Sequence, residues 1–190
     1  MTNILQNPPT FETSRLIIRP LTMTDDEAIY AYCCDPEVAH YVSFNTHRSI
    51  EDTRVFLRSA LESYEKQTDP GSLAIVMKEE MKLIGTIGYL NFRPSHKSVE
   101  IGYALSRPYW NKGIVTEASK AMTDHFFRNS DLVRIEAQCR TENIGSARVM
   151  EKAGMRFEGI LRKHLFMKGA HYDTKMFSII RDDWQRENNN

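Results

Sequence analysis

The stretch from Tyr109 to Ala118 has the residue types and spacing best suited to chemistry, and that chemistry is anion binding. Val115, Ala118, Met122 and Phe126 recur at helical spacing, with Ala121 beside them, so a helix begins near Gly113. A loop running into a helix in this way presents several unpaired main-chain N–H groups at the positive end of the helix dipole, an arrangement that holds phosphate. Gly113 lets the backbone come close to a ligand, and Lys112 adds one positive charge. The bland reading of the same residues is a strand–loop–helix connection that happens to contain a glycine. No Gly-Lys-Ser/Thr follows, so this is not a P-loop, and the second and third glycines of a dinucleotide fingerprint are missing.

The elements that must position this loop can be read from periodicity. Ser98–Leu105 alternates apolar and other residues with the period of a half-buried strand, and it delivers the chain into the loop. Upstream, Leu16–Arg19 predicts a short strand closed by Pro20. Thr24 and Glu27 have capping-box spacing for a helix that turns Ala28, Ile29, Tyr32 and Cys33 inward and stops near Asp35-Pro36. A second helix opens near Ser49, with Thr53, Phe56, Leu57, Ala60, Leu61 and Tyr64 as its stripe and Asp69-Pro70-Gly71 as its end. Between the two helices, Tyr41 and Phe44 sit in an aromatic-rich loop that either covers the core or walls a substrate cleft.

Residues 73–77, 83–92 and 99–105 read as an antiparallel meander. After the central helix, Val133, Ile135, Ala137 and Cys139 alternate with polar residues as another strand. Asn143 caps a short helix presenting Ala147, Met150 and Ala153, and Gly154 ends it. A last hairpin turns at Lys168-Gly169-Ala170. The expected order is β α α β β β α β α β β in one α/β (α+β) domain over 12–184, with a flexible arm over 1–11 and a frayed tail over 185–190.

Composition narrows the classes of function. With 41% hydrophobic and 26% charged residues the balance is that of a soluble globular domain. Lys plus Arg equals Asp plus Glu at 25 each, so no net field draws in nucleic acid or an anionic membrane. No apolar run approaches the roughly 20 residues of a membrane span, and the first residues lack the features of a signal peptide. Three cysteines, two of them adjacent at Cys33 and Cys34, make no disulfide framework, so the expected compartment is the reducing cytoplasm. The six histidines show no metal-ligand spacing, and no metal is expected.

Four segments together resemble the GNAT N-acetyltransferases, and within them the RimJ/RimL-like branch of ribosomal-protein N-terminal acetyltransferases. They are Glu12–Pro20, Glu100-Ile101-Gly102-Tyr103, Tyr109–Gly113 with Thr116-Glu117-Ala118, and Asn143–Met155. The resemblance implies a mostly antiparallel, twisted mixed sheet of about seven strands, splayed where acetyl-CoA binds and flanked by helices. It implies that the pantetheine arm pairs with the backbone of Tyr103, Ala104 and Leu105, the pyrophosphate with the loop from Asn111 to Thr116, and that Asn143 and Ser146 face the cofactor. Two positions depart from the family's Gln/Arg-x-x-Gly-x-Gly/Ala loop: Trp110 replaces the first residue and Val115 the last.

The reaction so implied is attack of a neutral amine on a thioester, which needs a base, donors for the oxyanion and a donor for the leaving thiolate. Glu100 is the candidate base and Ser146 the candidate donor to the sulfur, with a backbone N–H between Ile101 and Tyr103 for the oxyanion. The plain alternatives are a solvated strand glutamate and a first-turn helix serine. The partner is an amine acceptor, with a protein N-terminus favoured over a polyamine, amino acid or aminoglycoside; a non-catalytic acyl-CoA sensor and a homodimer are left open.

Overall fold

The computed structural model describes residues 8–69 and 71–188. Its eight strands are β1 (Phe11–Glu12), β2 (Leu16–Pro20), β3 (Gly71–Met77), β4 (Lys82–Arg93), β5 (Ser98–Leu105), β6 (Arg134–Arg140), β7 (Arg156–Met167) and β8 (Ala170–Ile180). They form one sheet in the order β1-β2-β3-β4-β5-β6-β8-β7. The helices are α1 (Asp26–Cys33), α2 (Pro36–Ala39), α3 (Ile50–Lys66), α4 (Ile114–Asn129), α5 (Ile144–Lys152) and α6 (Arg181–Asn188).

Strand alternation divides the core in two. Val99, Ile101 and Leu105 on β5 pack with Ile114, Ala118, Met122 and Phe126 of α4. Ala104, one residue out of phase, packs with Ile29 and Tyr32 of α1 and Leu57 of α3 on the opposite face. Phe126 is 2% exposed, and removing a fully buried phenylalanine costs about 3–5 kcal/mol. The orientation of α4, and so of its N-terminus, is therefore fixed by packing along its whole length.

All neighbouring strands pair antiparallel except β5 and β6, which run parallel. That parallel pairing lasts only from Ser98↔Arg134 to Glu100↔Glu136. Beyond it β5 stays bound to β4 as far as Leu105, and β6 to β8 as far as Arg140, so the sheet opens into a fork. This is the splay expected from the resemblance.

The structure corrects the sequence reading in four places. The sheet has eight strands, because Phe11 and Glu12 pair with Ile18 and Ile17; the arm expected over 1–11 is thus tied down at its end, and residues 1–7 lie outside the described residues. The capping box belongs to Thr22 and Asp25, not Thr24 and Glu27, because the Asp25 carboxylate also binds Arg19 at 2.7 Å. Pro36 starts a helix rather than only ending one: it occupies the first turn of α2, where its missing N–H costs nothing, behind an Asp35 cap. Residues of the expected tail continue as α6 to Asn188, held through Arg181, which donates to the carbonyls of Leu132, Phe127 and Ser130; 189–190 lie outside the described residues.

Candidate active site

The loop between β5 and α4 is built to leave peptide N–H groups free. Gly113 takes the N-cap position with φ 71°, so the cap has no side chain to accept a hydrogen bond. The first bond within the helix runs from the Glu117 N–H to the Gly113 carbonyl, at 3.0 Å. Ile114, Val115 and Thr116 therefore keep N–H groups with neither a helical acceptor nor a cap. Asn111, at φ 60°, is also left-handed, and such turns direct neighbouring N–H groups into one concavity. The side chains of Ile114 and Val115 are buried in the core, which leaves the backbone as the loop's binding surface. Lys112 rests its ammonium 5.4 Å from the Tyr109 ring.

Two residues not given a role by the sequence reading fix this loop. Arg15, just before β2, donates from Nη1 to the Lys112 carbonyl at 3.0 Å and from Nε to Glu117 at 2.7 Å. Trp110 donates from Nε1 to the Leu105 carbonyl at 2.8 Å, latching the loop to the end of β5. The departure from the family motif at Trp110 thus has its own structural task. The bond also removes the Leu105 carbonyl from the groups available to a pantetheine arm.

The fork supplies the remaining backbone. Peptide groups alternate in direction along a strand, and the Ser106 N–H donates toward β4, to the Ile84 carbonyl at 2.8 Å. Those of Tyr103 and Leu105 consequently face the open side, and those of Ala104 face β4. Of the three residues expected to pair with the arm, Tyr103 and the N–H of Leu105 are available, while Ala104 contributes only its position in the strand.

On the α4 side of the fork, Ser146 stands at the first turn of α5. Asn143 caps this helix, accepting the Ser146 N–H at 3.0 Å, so its cap role is established by geometry. Tyr103 reaches across from β5, its hydroxyl 2.8 Å from Ser146 Oγ. Burial pushes the Tyr103 phenol well above its ordinary value, and the Ser146 contact pulls it partly back. Cys139 is buried beside them, its Sγ 3.7 Å from the Asn143 carbonyl. Burial raises its thiol; Lys175 and the Ser146 hydroxyl pull in the opposite direction.

Glu100 lies on the other face of β5, 6% exposed, at the last rung before the fork. It lines a cavity of about 460 Å³ with Asp69, Asn91, Glu136, Gln138 and His164. Glu136, its partner in register, is held by Arg93 and by Arg134 at 2.8 Å. Glu100 accepts the Asn91 amide at 2.8 Å instead. Of the two glutamates paired across the fork, one is neutralised by two guanidinium groups and the other is held by a neutral donor. A Cβ at Gly102, the next position on this face, would touch only Leu90 Cδ2 at 3.5 Å, so the strand beyond Glu100 stays open.

Glu100 and Ser146 thus stand on opposite faces of the sheet, and the open fork is what connects them. Tyr41 and Phe44 are placed elsewhere. The Tyr41 ring packs 5.2 Å from the Arg140 guanidinium, and Phe44 packs on the α1–α3 core. Neither lines the Glu100 cavity.

These features fit acetyl-CoA: uncapped N–H groups at α4 for the pyrophosphate, outward peptide groups of β5 for the arm, and a fork leading to Glu100 and Ser146. A family model described as acetyltransferase (GNAT) domain matches residues 15–156. The N-acetyltransferase YoaA of Bacillus subtilis (strain 168) is 32% identical over 173 residues, 91% of this chain and 97% of that one. The ribosomal-protein-serine acetyltransferase of Escherichia coli (strain K12) is 29% identical over 135 residues, covering 71% of this chain and 74% of that one. A GNAT-family acetyltransferase structure from Bacillus anthracis superposes with TM-score 0.81 at 30% identity, over 92% of this chain and 99% of that one. The chain belongs to the GNAT family, in its RimJ/RimL-like branch, and is an acetyl-CoA-dependent N-acetyltransferase.

Proposed function

We propose that the acceptor is the α-amine of a protein or peptide N-terminus, with Glu100 taking its proton, through a water, and Ser146 serving the leaving sulfur. The observation that carries this reading is the pairing at the last rung of the fork. Glu136 is occupied by two arginines, whereas Glu100 is buried, faces the cavity and keeps lone pairs free. A carboxylate is a modest base. An α-amine, with a reference pKa of about 7.7–8.0 against about 10.4 for lysine, is the acceptor it can deprotonate near neutrality. The ribosomal-protein acetyltransferase named among the relatives supports a protein acceptor.

In this reading the chain supplies position and proton handling. The α4 N-terminus and the outward groups of β5 orient the donor, which brings a thioester carbonyl activated for acyl transfer. The Tyr103 N–H, which faces the fork, is the donor for the developing oxyanion. We also place the reaction in the cytoplasm, in keeping with the free thiols of Cys33, Cys34 and Cys139.

A small-molecule acceptor is the second reading, and the cavity favours it: about 460 Å³ lies within the range of small-ligand sites. Thiol release measured across peptides with free or blocked N-termini, polyamines, amino acids and aminoglycosides separates the two. Free peptide N-termini are expected to give the highest kcat/KM. Turnover confined to polyamines or aminoglycosides would select the second reading, and acetyl-CoA binding without turnover on any amine would select a sensor.

A further inference from the structure

The contact between Tyr103 and Ser146 carries a role beyond the binding of donor and acceptor, and it rests on the assignment of Ser146 to the leaving sulfur. Tyr103 Oη lies 2.8 Å from Ser146 Oγ and 3.3 Å from the Ser146 carbonyl oxygen. A separation of 2.8 Å is that of a good hydroxyl–hydroxyl hydrogen bond, in which either oxygen can be the donor. In the arrangement where Oγ accepts from Tyr103, the serine's own proton is turned away from the phenol. Cys139 is buried beside the pair, and the Ser146 hydroxyl pulls its thiol down against the upward push of burial.

We propose that Tyr103 is a positioning residue that turns the Ser146 hydroxyl proton toward the departing sulfur, so that the pair stabilises the thiolate by a hydrogen bond and not by giving up a proton. Burial holds the Tyr103 phenol well above its ordinary value. A thiol of ordinary kind titrates at about 8.5. Full transfer would leave a buried phenolate or an alkoxide beside a sulfur that is the much weaker base. As the C–S bond breaks, its electron pair moves onto sulfur while Ser146 Oγ–H and Tyr103 Oη–H stay intact. An α-ammonium gives up two protons on becoming an amide. The first returns to solvent through Glu100, the second passes to solvent as the tetrahedral intermediate collapses, and the sulfur takes one from solvent on leaving, so one proton is released net.

The test binds reduced CoA to the full chain, to Tyr103→Phe and to Ser146→Ala, and titrates the thiolate absorbance with each desulfo-CoA complex as blank. The bound thiol is expected to titrate lower in the native protein than in either variant. In steady state Tyr103→Phe should lower kcat about tenfold with the acetyl-CoA Kd unchanged, and should cost nothing further once Ser146→Ala is present. Equal thiol titrations in the native protein and Tyr103→Phe, or effects on kcat that multiply in the double variant, overturn the proposal. Native kcat in Ser146→Ala would overturn the assignment of Ser146 itself, and this inference with it.

Discussion

The Arg15 guanidinium lies 2.6 Å from the Glu117 carboxylate, tying the segment before β2 to the first turn of α4 across more than half the chain. Thr13 Oγ1 at 2.5 Å and the Arg15 N–H at 3.1 Å bind the same carboxylate oxygen. Because Arg15 also holds the Lys112 carbonyl, one side chain fixes both ends of the loop that presents the free N–H groups. Arg15→Ala should therefore raise the acetyl-CoA Kd several-fold, with kcat at saturating donor little changed. Titration calorimetry giving a native Kd would refute this role.

The same tie has a pH dependence. Burial pushes the Glu117 carboxyl up, but the hydrogen bonds from Thr13 and Arg15 outweigh it and leave the group below the ordinary glutamate value. A depressed folded pKa stabilises above the unfolded pKa, at about 4.3, and that contribution fades as pH falls through the lower folded value. The Tm gap between the native protein and Glu117→Gln should be constant at neutral pH and should close only in acid below the ordinary glutamate range. A gap already closing at pH well above that range would contradict the assignment.

Acetyl-CoA should bind this loop through its main chain more than through charge. Lys112 is engaged with the Tyr109 ring, and Gly113 holds a left-handed conformation. A side chain at Gly113 would meet nothing closer than Arg15 Nη2, at 3.8 Å, so a substitution acts through backbone strain and through crowding of the ligand. The strain is about 1–2 kcal/mol for an ordinary residue, and β-branching adds to it. Gly113→Val should weaken CoA binding much more than Lys112→Ala. Equal losses, or the reverse order, would show that charge leads.

Much of this arrangement was legible in the sequence because it follows from period and local sterics. The alternation in Ser98–Leu105, the glycine before α4 and the Asn143 cap each depend on residues close in sequence, and each stands where expected. What was not legible depends on tertiary partners. Thr24 and Glu27 had capping spacing as good as Thr22 and Asp25; only Arg19, arriving from β2, decides between them. Tyr103 was expected to act through its backbone, and its spacing gives no sign that its hydroxyl meets a serine 43 residues on. Trp110 looked like a motif departure until its indole was found on the Leu105 carbonyl. Tyr41 and Phe44 were candidates by composition alone, and composition does not say which wall an aromatic ring covers.

No cysteine should form an acetyl-enzyme. A nucleophilic cysteine needs thiolate character, but burial raises the Cys139 thiol and pushes that of Cys33 up to about 12. Cys139→Ala should keep turnover within several-fold, with sequential kinetics. Mass spectrometry that finds an acetylated Cys139 able to pass its acetyl group to an amine would reverse this.

Glu100 should be the proton acceptor, and its loss should slow chemistry without emptying the donor site. The carboxylate faces the cavity, whereas the backbone groups of β5 that serve the donor face the fork. A base of this kind contributes roughly 10²–10⁴-fold, and holding amine and thioester together leaves appreciable activity without it. Glu100→Gln keeps the side chain's size and a carbonyl oxygen for the Asn91 amide, so stability and acetyl-CoA affinity should change little. Asn91→Ala serves as the companion variant: it removes the amide and should impair turnover less than Glu100→Gln. The decisive measurement is the pH dependence of kcat/KM on a working peptide acceptor. In Glu100→Gln the rate at neutral pH should fall, then partly recover in alkali as the free α-amine, with a reference pKa of about 7.7–8.0, sheds its proton unaided. Near-native activity of Glu100→Gln at neutral pH would end the role of Glu100 as base and leave solvent to take the amine's proton.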